Sequence, residues 1–122
     1  MKILVVDDSA TMRRILVKSL QRVGYTDVVQ ASDGPQALAA CSPEVEFVIA
    51  DGHMPSLPGA DLATAMRQRG VTVPILLVTT RSARDDTSRA LQAGASDVIV
   101  KPFTPQVLKE RIDGLCARRA CA

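Results

Sequence analysis

The sequence predicts an α/β fold in which a five-stranded parallel sheet carries helices on both faces. Short apolar runs alternate five times with longer segments of helical pattern, which is the signature of a repeated strand–helix unit. The apolar runs show little polar alternation, as expected of parallel strands that are buried on both faces. Right-handed crossovers between successive strands then place helices on the two sides of a doubly wound sheet.

The bounds of the elements follow from the same patterns. Strands are predicted at about residues 2–6, 28–29, 45–50, 73–79 and 97–100. Helices are predicted at about 10–22, from 33–35 on, 60–69, 83–93 and 104–118. Glycines at 24, 70 and 94 are placed to end helices. Apolar residues at helical spacing are predicted to face the core, among them Ile15 and Leu91.

Length and composition predict a single globular domain over residues 1–122, without an effector domain. The chain has 122 residues, of which 47% are hydrophobic, enough for one core. No apolar run approaches the roughly 20 residues of a membrane span. The start, Met1-Lys2 and a short apolar run before Asp7-Asp8, is too short and too acidic for a signal peptide. We therefore expect a cytoplasmic protein with no membrane partner.

The net charge of +2 gives no reason to expect a nucleic-acid partner. The charge is unevenly distributed: residues 1–61 carry 5 basic and 8 acidic side chains, whereas residues 62–122 carry 10 and 5. The acidic half is suited to a cation site. The basic half either presents a solvated surface or meets an acidic partner.

Four polar patches stand where four of the apolar runs end: Asp7-Asp8, Asp51, Thr79 and Lys101-Pro102. In an open α/β sheet the carboxyl ends of the strands are where ligands bind. Side by side, these strands bring three carboxylates, a hydroxyl and an ammonium to one rim. Two carboxylates about 5 Å apart repel by about 3 kcal/mol at an effective dielectric of 20. Such a cluster favours a bound cation, and its hard oxygen ligands favour Mg²⁺, or Mn²⁺, over zinc.

The cluster has a functional and a structural interpretation. A carboxylate beside a cation can act as a nucleophile toward phosphorus and form an aspartyl phosphate. In the structural interpretation Asp7-Asp8-Ser9 caps the first helix, Asp51 begins a loop, and Lys101 snorkels from a strand end. A threonine such as Thr79 at a strand end carries little signal alone. The occurrence of all four patches at four strand ends favours the functional interpretation.

Four segments carry a resemblance to a known family: VVDDSATMRRIL, VIADGHMP, LLVTT and GASDVIVKPFT. In order and spacing they resemble the receiver domains of two-component response regulators, and most of all the stand-alone receivers of chemotaxis. The resemblance covers residues 2 to about 115. It implies a flavodoxin-like sheet of strand order 2-1-3-4-5. Helices 1 and 5 would lie on one face of this sheet, and helices 2, 3 and 4 on the other.

The resemblance also implies a magnesium-dependent phosphorylation site. Asp51 would be the phosphoacceptor. Asp8 and Asp51 would bind Mg²⁺ directly, and Asp7 would act through a water molecule. The backbone carbonyl of His53 would complete the protein ligands.

On the phosphoryl side, the resemblance implies that Lys101 contacts the phosphoryl group and that Thr79 bonds to it and reports it. The Lys101-Pro102 peptide bond would be cis. The donor would be a phosphohistidine on a sensor histidine kinase or a phosphotransfer protein. The surface of helix 4, strand 5 and helix 5 would meet a downstream target, such as a flagellar motor switch or another effector. Such a protein is a signalling phosphoprotein rather than an enzyme, and we expect a monomer.

Three departures from the family pattern bear on hydrolysis and on the readout. His53 stands where asparagine is frequent, Arg81 where an acidic residue is common, and Val98 where many receivers have an aromatic residue. Because His53 and Arg81 would flank the path of the attacking water, they predict a changed lifetime of the phosphoryl group. Val98 is too small for a ring flip, so the readout through strand 5 must differ.

Two alternatives stay open on the sequence alone. An aspartyl-phosphate-forming phosphohydrolase shares this kind of sheet, although it generally needs a second acid where this chain has His53. A degenerate receiver would signal by binding without phosphate, although all the acidic, hydroxyl and ammonium positions are filled here.

Overall fold

The computed structural model describes residues 1–52, 54, 57–79 and 84–121. Strands and helices alternate along it as predicted. The strands are β1 (Lys2–Val6), β2 (Val28–Ala31), β3 (Val45–Asp51), β4 (Ile75–Thr79) and β5 (Asp97–Val100). The helices are α1 (Ala10–Arg22), α2 (Gly34–Ala40), α3 (Gly59–Gln68), α4 (Arg84–Ala93) and α5 (Pro105–Cys121).

The five strands form one parallel sheet in the order β2-β1-β3-β4-β5. This order confirms the doubly wound, flavodoxin-like fold. Val6 of β1 pairs with Ala31 on one side and with Ala50 of β3 on the other. Because all strands run the same way, the ends of β1, β3, β4 and β5 meet at one side of the sheet. We call this side the carboxyl edge and the opposite side the amino edge.

Side chains alternate along the strands between two hydrophobic cores, one on each face of the sheet. Leu4 and Val6 of β1 pack in the core that α2, α3 and α4 cover, with Ala37, Leu62, Ala63, Met66 and Ala90. Ile3 and Val5 pack in the core that α1 and α5 cover, with Leu16, Leu20, Leu108, Ile112 and Leu115. The predicted division of the helices between the two faces is confirmed.

Several predicted details need correction. β4 begins at Ile75 and not at 73, because the intervening Pro74 has no N–H to donate to the ladder. α5 continues to Cys121, since the alanine and arginine residues beyond 116 favour a helix. Ile15 and Leu91 are 48% and 45% exposed, so their prediction as core residues was wrong. In α1 and in the described part of α4, fewer apolar side chains are buried than the helical spacing predicted.

Candidate functional site at the carboxyl edge

The candidate site lies at the carboxyl edge, where β1 and β3 deliver three carboxylates. Asp7 follows β1, and its amide N–H donates to the carbonyl oxygen of Ala31 at 3.1 Å. Asp51 is the last residue of β3. Beyond it, the N–H of Gly52 donates to the carbonyl oxygen of Val78 at 2.8 Å. These backbone bonds extend the sheet past the strand ends and thereby fix where the two carboxylates stand.

Asp7 is the most buried member of the cluster, with 1% of its surface exposed. Its Oδ1 accepts a hydrogen bond from the backbone N–H of Ser9 at 2.9 Å. Its carbonyl oxygen accepts a second bond from Nη1 of Arg13 at 2.6 Å. Within the described part of the chain, Oδ2 of Asp7 has no hydrogen-bond partner. A buried carboxylate oxygen without a partner is costly, and it is suited to ligating a cation.

The surroundings of Asp7 raise the pKa of its carboxyl group above the ordinary value. Burial is the largest cause, because it disfavours the charged form. The negative charge of Asp51 and the neighbouring carboxyl group of Asp8 act in the same direction. The N–H of Ser9 and the positive charge of Lys101 oppose them. A cation in the cluster would relieve both the burial and the repulsion.

The donor set fits a hard divalent cation. Asp7, Asp8 and Asp51 each offer an oxygen, and these oxygens lie within 4.8 Å of one another. At this separation each pair of charges repels by about 3 kcal/mol at an effective dielectric of 20. Asp7 is buried, Asp51 is half-buried and Asp8 is exposed, so the cluster opens to solvent on one side. Carboxylate oxygens with room for water are what Mg²⁺ prefers. His53, the fourth predicted ligand, lies outside the described residues.

Thr79 and Lys101 lie on the same edge, on the β4 and β5 side of Asp51. Thr79 ends β4, pairs with Val100, and is only 6% exposed. The backbone N–H of Lys101 donates to the carbonyl oxygen of Thr79 at 2.7 Å. The Lys101-Pro102 peptide bond is cis, as the resemblance implied. The positive charge of Lys101 also acts to lower the pKa of Asp7. The parallel pairing of β1, β3, β4 and β5 places the predicted residues of all four patches at the carboxyl edge.

Two residues that the sequence analysis did not single out, Gly59 and Arg13, support the site. A Cβ atom at Gly59 would lie 2.6 Å from the carbonyl oxygen of Asp51, so α3 begins against the backbone of Asp51 where only glycine fits. A proline–glycine pair before a helical pattern was an available signal for it. Arg13 reaches back from α1 to Asp7. That contact had no sequence signal, because it depends on how α1 leaves β1.

The residues predicted to modulate the site are only partly described. His53 and Arg81 lie outside the described residues. Val98 pairs with Leu77 and is partly buried against the core that α2, α3 and α4 cover. Next to it, Nη1 of Arg111 on α5 lies 2.9 Å from Oδ2 of Asp97. This ion pair is exposed and within one chain, so it contributes little to stability.

The strand order and the acidic carboxyl edge together define a doubly wound α/β protein with a cation-type site at the ends of its strands. A family model described as the response regulator receiver domain matches residues 3–113. The chain therefore belongs to the response regulator receiver family, a family of signalling domains.

Relatives of similar length support this assignment. The chemotaxis protein CheY1 of Helicobacter pylori (strain ATCC 700392 / 26695) is 44% identical over 117 residues, which cover 93% of this chain and 94% of that protein. The chemotaxis protein CheY of Pseudomonas aeruginosa is 44% identical over 121 residues, covering 97% of this chain and 98% of that protein. The predicted similarity to chemotaxis receivers, and with it the prediction of two-component signal transduction, is confirmed.

Solved structures agree with the sheet order. The chemotaxis protein CheY4 of Vibrio cholerae, crystallised at low pH, superposes with a TM-score of 0.86 at 33% identity, covering 93% of this chain and 97% of that chain. A response regulator receiver domain protein from Clostridium thermocellum superposes with a TM-score of 0.88 at 27% identity, covering 98% and 97%. Among the described helices, none combines the length and the apolar character that a membrane crossing requires.

Proposed function

We propose that this protein is a phosphorylation-switched receiver in which Asp51 accepts a phosphoryl group from a phosphohistidine. The observation that carries the proposal is the cluster of Asp7, Asp8 and Asp51, whose oxygens lie within 4.8 Å of one another. The carboxylates repel one another, and a buried oxygen of Asp7 has no hydrogen-bond partner among the described residues, so the cluster is suited to a cation. Thr79 and Lys101 stand on the same edge, where a phosphoryl group on Asp51 would meet them.

In the proposed transfer, a carboxylate oxygen of Asp51 attacks the phosphorus atom of the phosphohistidine. The new O–P bond forms as the P–N bond breaks, and the imidazole leaves with the bonding electron pair and takes up a proton. Backing by β3 and the close packing of Gly59 hold Asp51 in place for the attack. Orientation of this kind is a large part of the catalysis in phosphoryl transfer.

Lys101 and Thr79 would act on the phosphoryl oxygens. The ammonium group of Lys101 would offset their negative charge, which is spread over three oxygens in the transition state. The hydroxyl of Thr79 would donate a hydrogen bond to one of them after transfer. Because Thr79 is nearly buried, the side chain that forms this bond is one that packs at the end of β4.

Asp8 and Asp51 would hold Mg²⁺ directly and Asp7 would hold it through a water molecule, with Mn²⁺ as an alternative ion. The backbone carbonyl of His53 would complete the protein ligands. When bound, the ion would supply positive charge to the phosphoryl oxygens. The residues themselves fit this role because their oxygens are hard, close together and open to solvent on one side.

Loss of the signal would occur by hydrolysis at Asp51. A water molecule attacks the phosphorus atom opposite the Asp51 oxygen, and the O–P bond breaks to return the carboxylate. His53 and Arg81 are proposed to flank this path and to set its rate, and Val98 to alter the readout through β5. Exchanging His53→Asn and Arg81→Glu together should change the hydrolysis rate of the phosphorylated protein. An unchanged rate would remove both residues from the proposal.

The proposed partners are a sensor histidine kinase or phosphotransfer protein as donor, and a flagellar motor switch or another effector as target. The exposed face formed by α4, β5 and α5 would meet the target. We propose a cytoplasmic monomer in which residues 1–122 form one receiver domain. Sedimentation with and without beryllofluoride would show a monomer in both cases, and a dimer in either would contradict this part.

The test of the proposed function is phosphorylation by acetyl phosphate, followed by mass spectrometry. We expect a Mg²⁺-dependent, acid-labile gain of one phosphoryl group that chelation of the metal prevents and Asp51→Asn abolishes. The matched control is Asp61→Asn, which removes an exposed carboxylate of α3 and should leave the gain unchanged. No gain in the wild type would favour the degenerate receiver. Continuous turnover of phosphate esters would favour the phosphohydrolase.

A further inference from the structure

The side chain of Arg67, near the carboxyl end of α3, joins three segments of the chain at the amino edge. Its Nε donates to the carbonyl oxygen of Gly94 at 3.0 Å. Its Nη1 donates to the carbonyl oxygens of Val71 and Val73 at 2.9 and 2.8 Å. Its Nη2 lies 3.4 Å from Oγ of Ser96. One guanidinium thus connects α3 with the segment that leads into β4 and with the segment that leads from α4 into β5.

Two further residues tie the same end of α4. Oγ1 of Thr64 donates to the carbonyl oxygen of Ala93, the last residue of α4, at 2.8 Å. Ser96 bonds to the first residue of β4 in both directions, because its N–H donates to the carbonyl oxygen of Ile75 at 2.7 Å and its Oγ accepts from the N–H of Ile75 at 3.0 Å. The last carbonyls of a helix have no partners within the helix, so these bonds satisfy groups that would otherwise need water.

Apolar packing holds α4 only lightly over the part whose side chains are described, residues 88–93. Ala90 is its one buried side chain there, and Leu91 is 45% exposed. By contrast, α3 buries Leu62, Ala63 and Met66. An alanine buries far less apolar surface than a leucine or methionine and stabilises correspondingly less. The polar bonds at its carboxyl end are therefore the main attachment of this part of α4.

Gly94 shows how closely this anchor is packed. Its φ of 125° lies in the region that favours glycine, and a Cβ atom there would come within 2.8 Å of Cγ of Arg67. The helix therefore ends in a conformation and at a distance that other residues do not tolerate.

The positions of the two ends of α4 suggest what the anchor does. β4 runs from Ile75 at the amino edge to Thr79 at the carboxyl edge. α4 leads back to the amino edge, where Ser96, three residues beyond its last residue, is bonded to Ile75. We propose that Arg67 is a positioning residue that anchors the carboxyl end of α4. A structural change near Thr79 would then rotate α4 as a rigid body about this anchor, and the helix would not unwind at its carboxyl end. The inference rests on the proposed function, because phosphorylation of Asp51 would be the origin of that structural change.

The anchor itself is tested without phosphorylation, by hydrogen exchange of backbone amides. The amides to follow are those of Gly94 and Ala95, which donate to the carbonyl oxygens of Leu91 and Ala90. In Arg67→Met we expect them to exchange about tenfold faster or more, since hydrogen bonds from a charged donor are lost. Amides of β1 and β3 should keep their rates.

Arg69→Met is the matched control, because it removes the same charge from an exposed position two residues further along, and its amide rates should equal those of the wild type. Should Arg67→Met fail to fold, Thr64→Val and Arg67→Lys carry the same test with smaller changes. A uniform rise at all amides, or no rise at Gly94 and Ala95, would overturn the proposal, since Arg67 would then be a general stabiliser or no anchor at all.

The coupling is tested with beryllofluoride and Mg²⁺ by NMR. In the wild type we expect the amide signals of α4 through Ala93 to shift together on addition of the mimic. In Arg67→Met the shifts at Leu91–Ala93 should be lost, whereas the signal changes around Asp51 should persist. Equal shifts in both proteins would overturn the proposal. A wild type that shows no response anywhere would refute the proposed function instead, and the exchange experiment would still decide the anchor.

Discussion

The backbone N–H of Lys101 donates to the carbonyl oxygen of Thr79 at 2.7 Å. This bond extends the pairing of β4 and β5 one step beyond Thr79 and Val100. The bond joins backbone atoms only, so it sets the spacing between Lys101, which carries an ammonium group, and Thr79, which carries a hydroxyl group, without using either side chain. Groups held in place before a ligand arrives cost no reorganisation during the reaction. Substitutions of either side chain should therefore change the chemistry and leave the fold intact.

Lys101→Met tests whether the Lys101 side chain acts in the chemistry without supporting the fold. We expect phosphorylation by acetyl phosphate at saturating Mg²⁺ to slow by about 10²-fold, because the charge proposed to offset the phosphoryl oxygens is lost. The thermal midpoint should change little, since the backbone bond to Thr79 remains. Lys18→Met, which removes an exposed ammonium from α1, should phosphorylate at the wild-type rate. Equal rates for the two variants would exclude Lys101 from the reaction.

Asp7→Asn should lower the affinity for metal and raise the stability of the metal-free protein. Without divalent cations we expect the variant to be more stable than the wild type by about 1–2 kcal/mol, because a buried charge and its repulsion by Asp51 are removed. Its affinity for Mg²⁺ should fall by about tenfold or more, since a negative charge beside the ion, proposed to act on it through a water molecule, is lost. Denaturant unfolding in chelator and calorimetric titration measure the two effects. Asp27→Asn, at an exposed position, should show neither, and a less stable Asp7→Asn protein would contradict the account of the cluster.

Gly59→Ala should disturb the site through the backbone. The added methyl group would lie 2.6 Å from the carbonyl oxygen of Asp51 and 2.9 Å from Cα of Gly52, so the start of α3 must shift. We expect a loss of about 1–3 kcal/mol in the free energy of unfolding together with slower phosphorylation. Gly114→Ala in α5 meets nothing within 4 Å and should stabilise the protein by about 0.5–1 kcal/mol. Similar effects of the two substitutions would argue against close packing at Gly59.

Tyr25 provides a test at the other end of the molecule. Its hydroxyl donates to the carboxylate of Asp113 on α5, which Lys109 also contacts. Burial, and then this bond and the charge of Asp113, raise the pKa of Tyr25 above its ordinary value. The stabilisation from a raised pKa is fully present below the unfolded value near 10 and is lost as the pH rises through the folded value.

Because the chain has 1 tyrosine and no tryptophan, phenolate absorbance reports Tyr25 alone. We expect its midpoint in the folded protein to lie above that of the denatured protein. Tyr25→Phe should lower stability at neutral pH by about 0.5–1 kcal/mol, with a smaller difference at alkaline pH. A folded-state midpoint at the ordinary tyrosine value would show that the bond to Asp113 contributes nothing.

The amino-acid pattern was enough to predict the fold and to predict which edge of the sheet the candidate site residues share. Unbroken apolar runs, helix-ending glycines and polar residues at four strand ends predicted the parallel sheet. They also placed Asp7, Asp51, Thr79 and Lys101 on one edge, because parallel strands necessarily align their carboxyl ends. Motif resemblance then supplied the strand order, which local pattern alone leaves open.

Tertiary structure decided the rest, since those features depend on contacts between residues far apart in sequence. The burial of Asp7 depends on the tertiary packing around the end of β1, and so does the lack of a hydrogen-bond partner for its Oδ2 among the described residues. The exposure of Ile15 and Leu91 was mispredicted, because helical spacing does not say how wide a stripe the sheet will cover. The bonds from Arg67 to Gly94 and Ser96 could not be predicted, because a long side chain reaches whichever carbonyls the packing of α3 and α4 brings near.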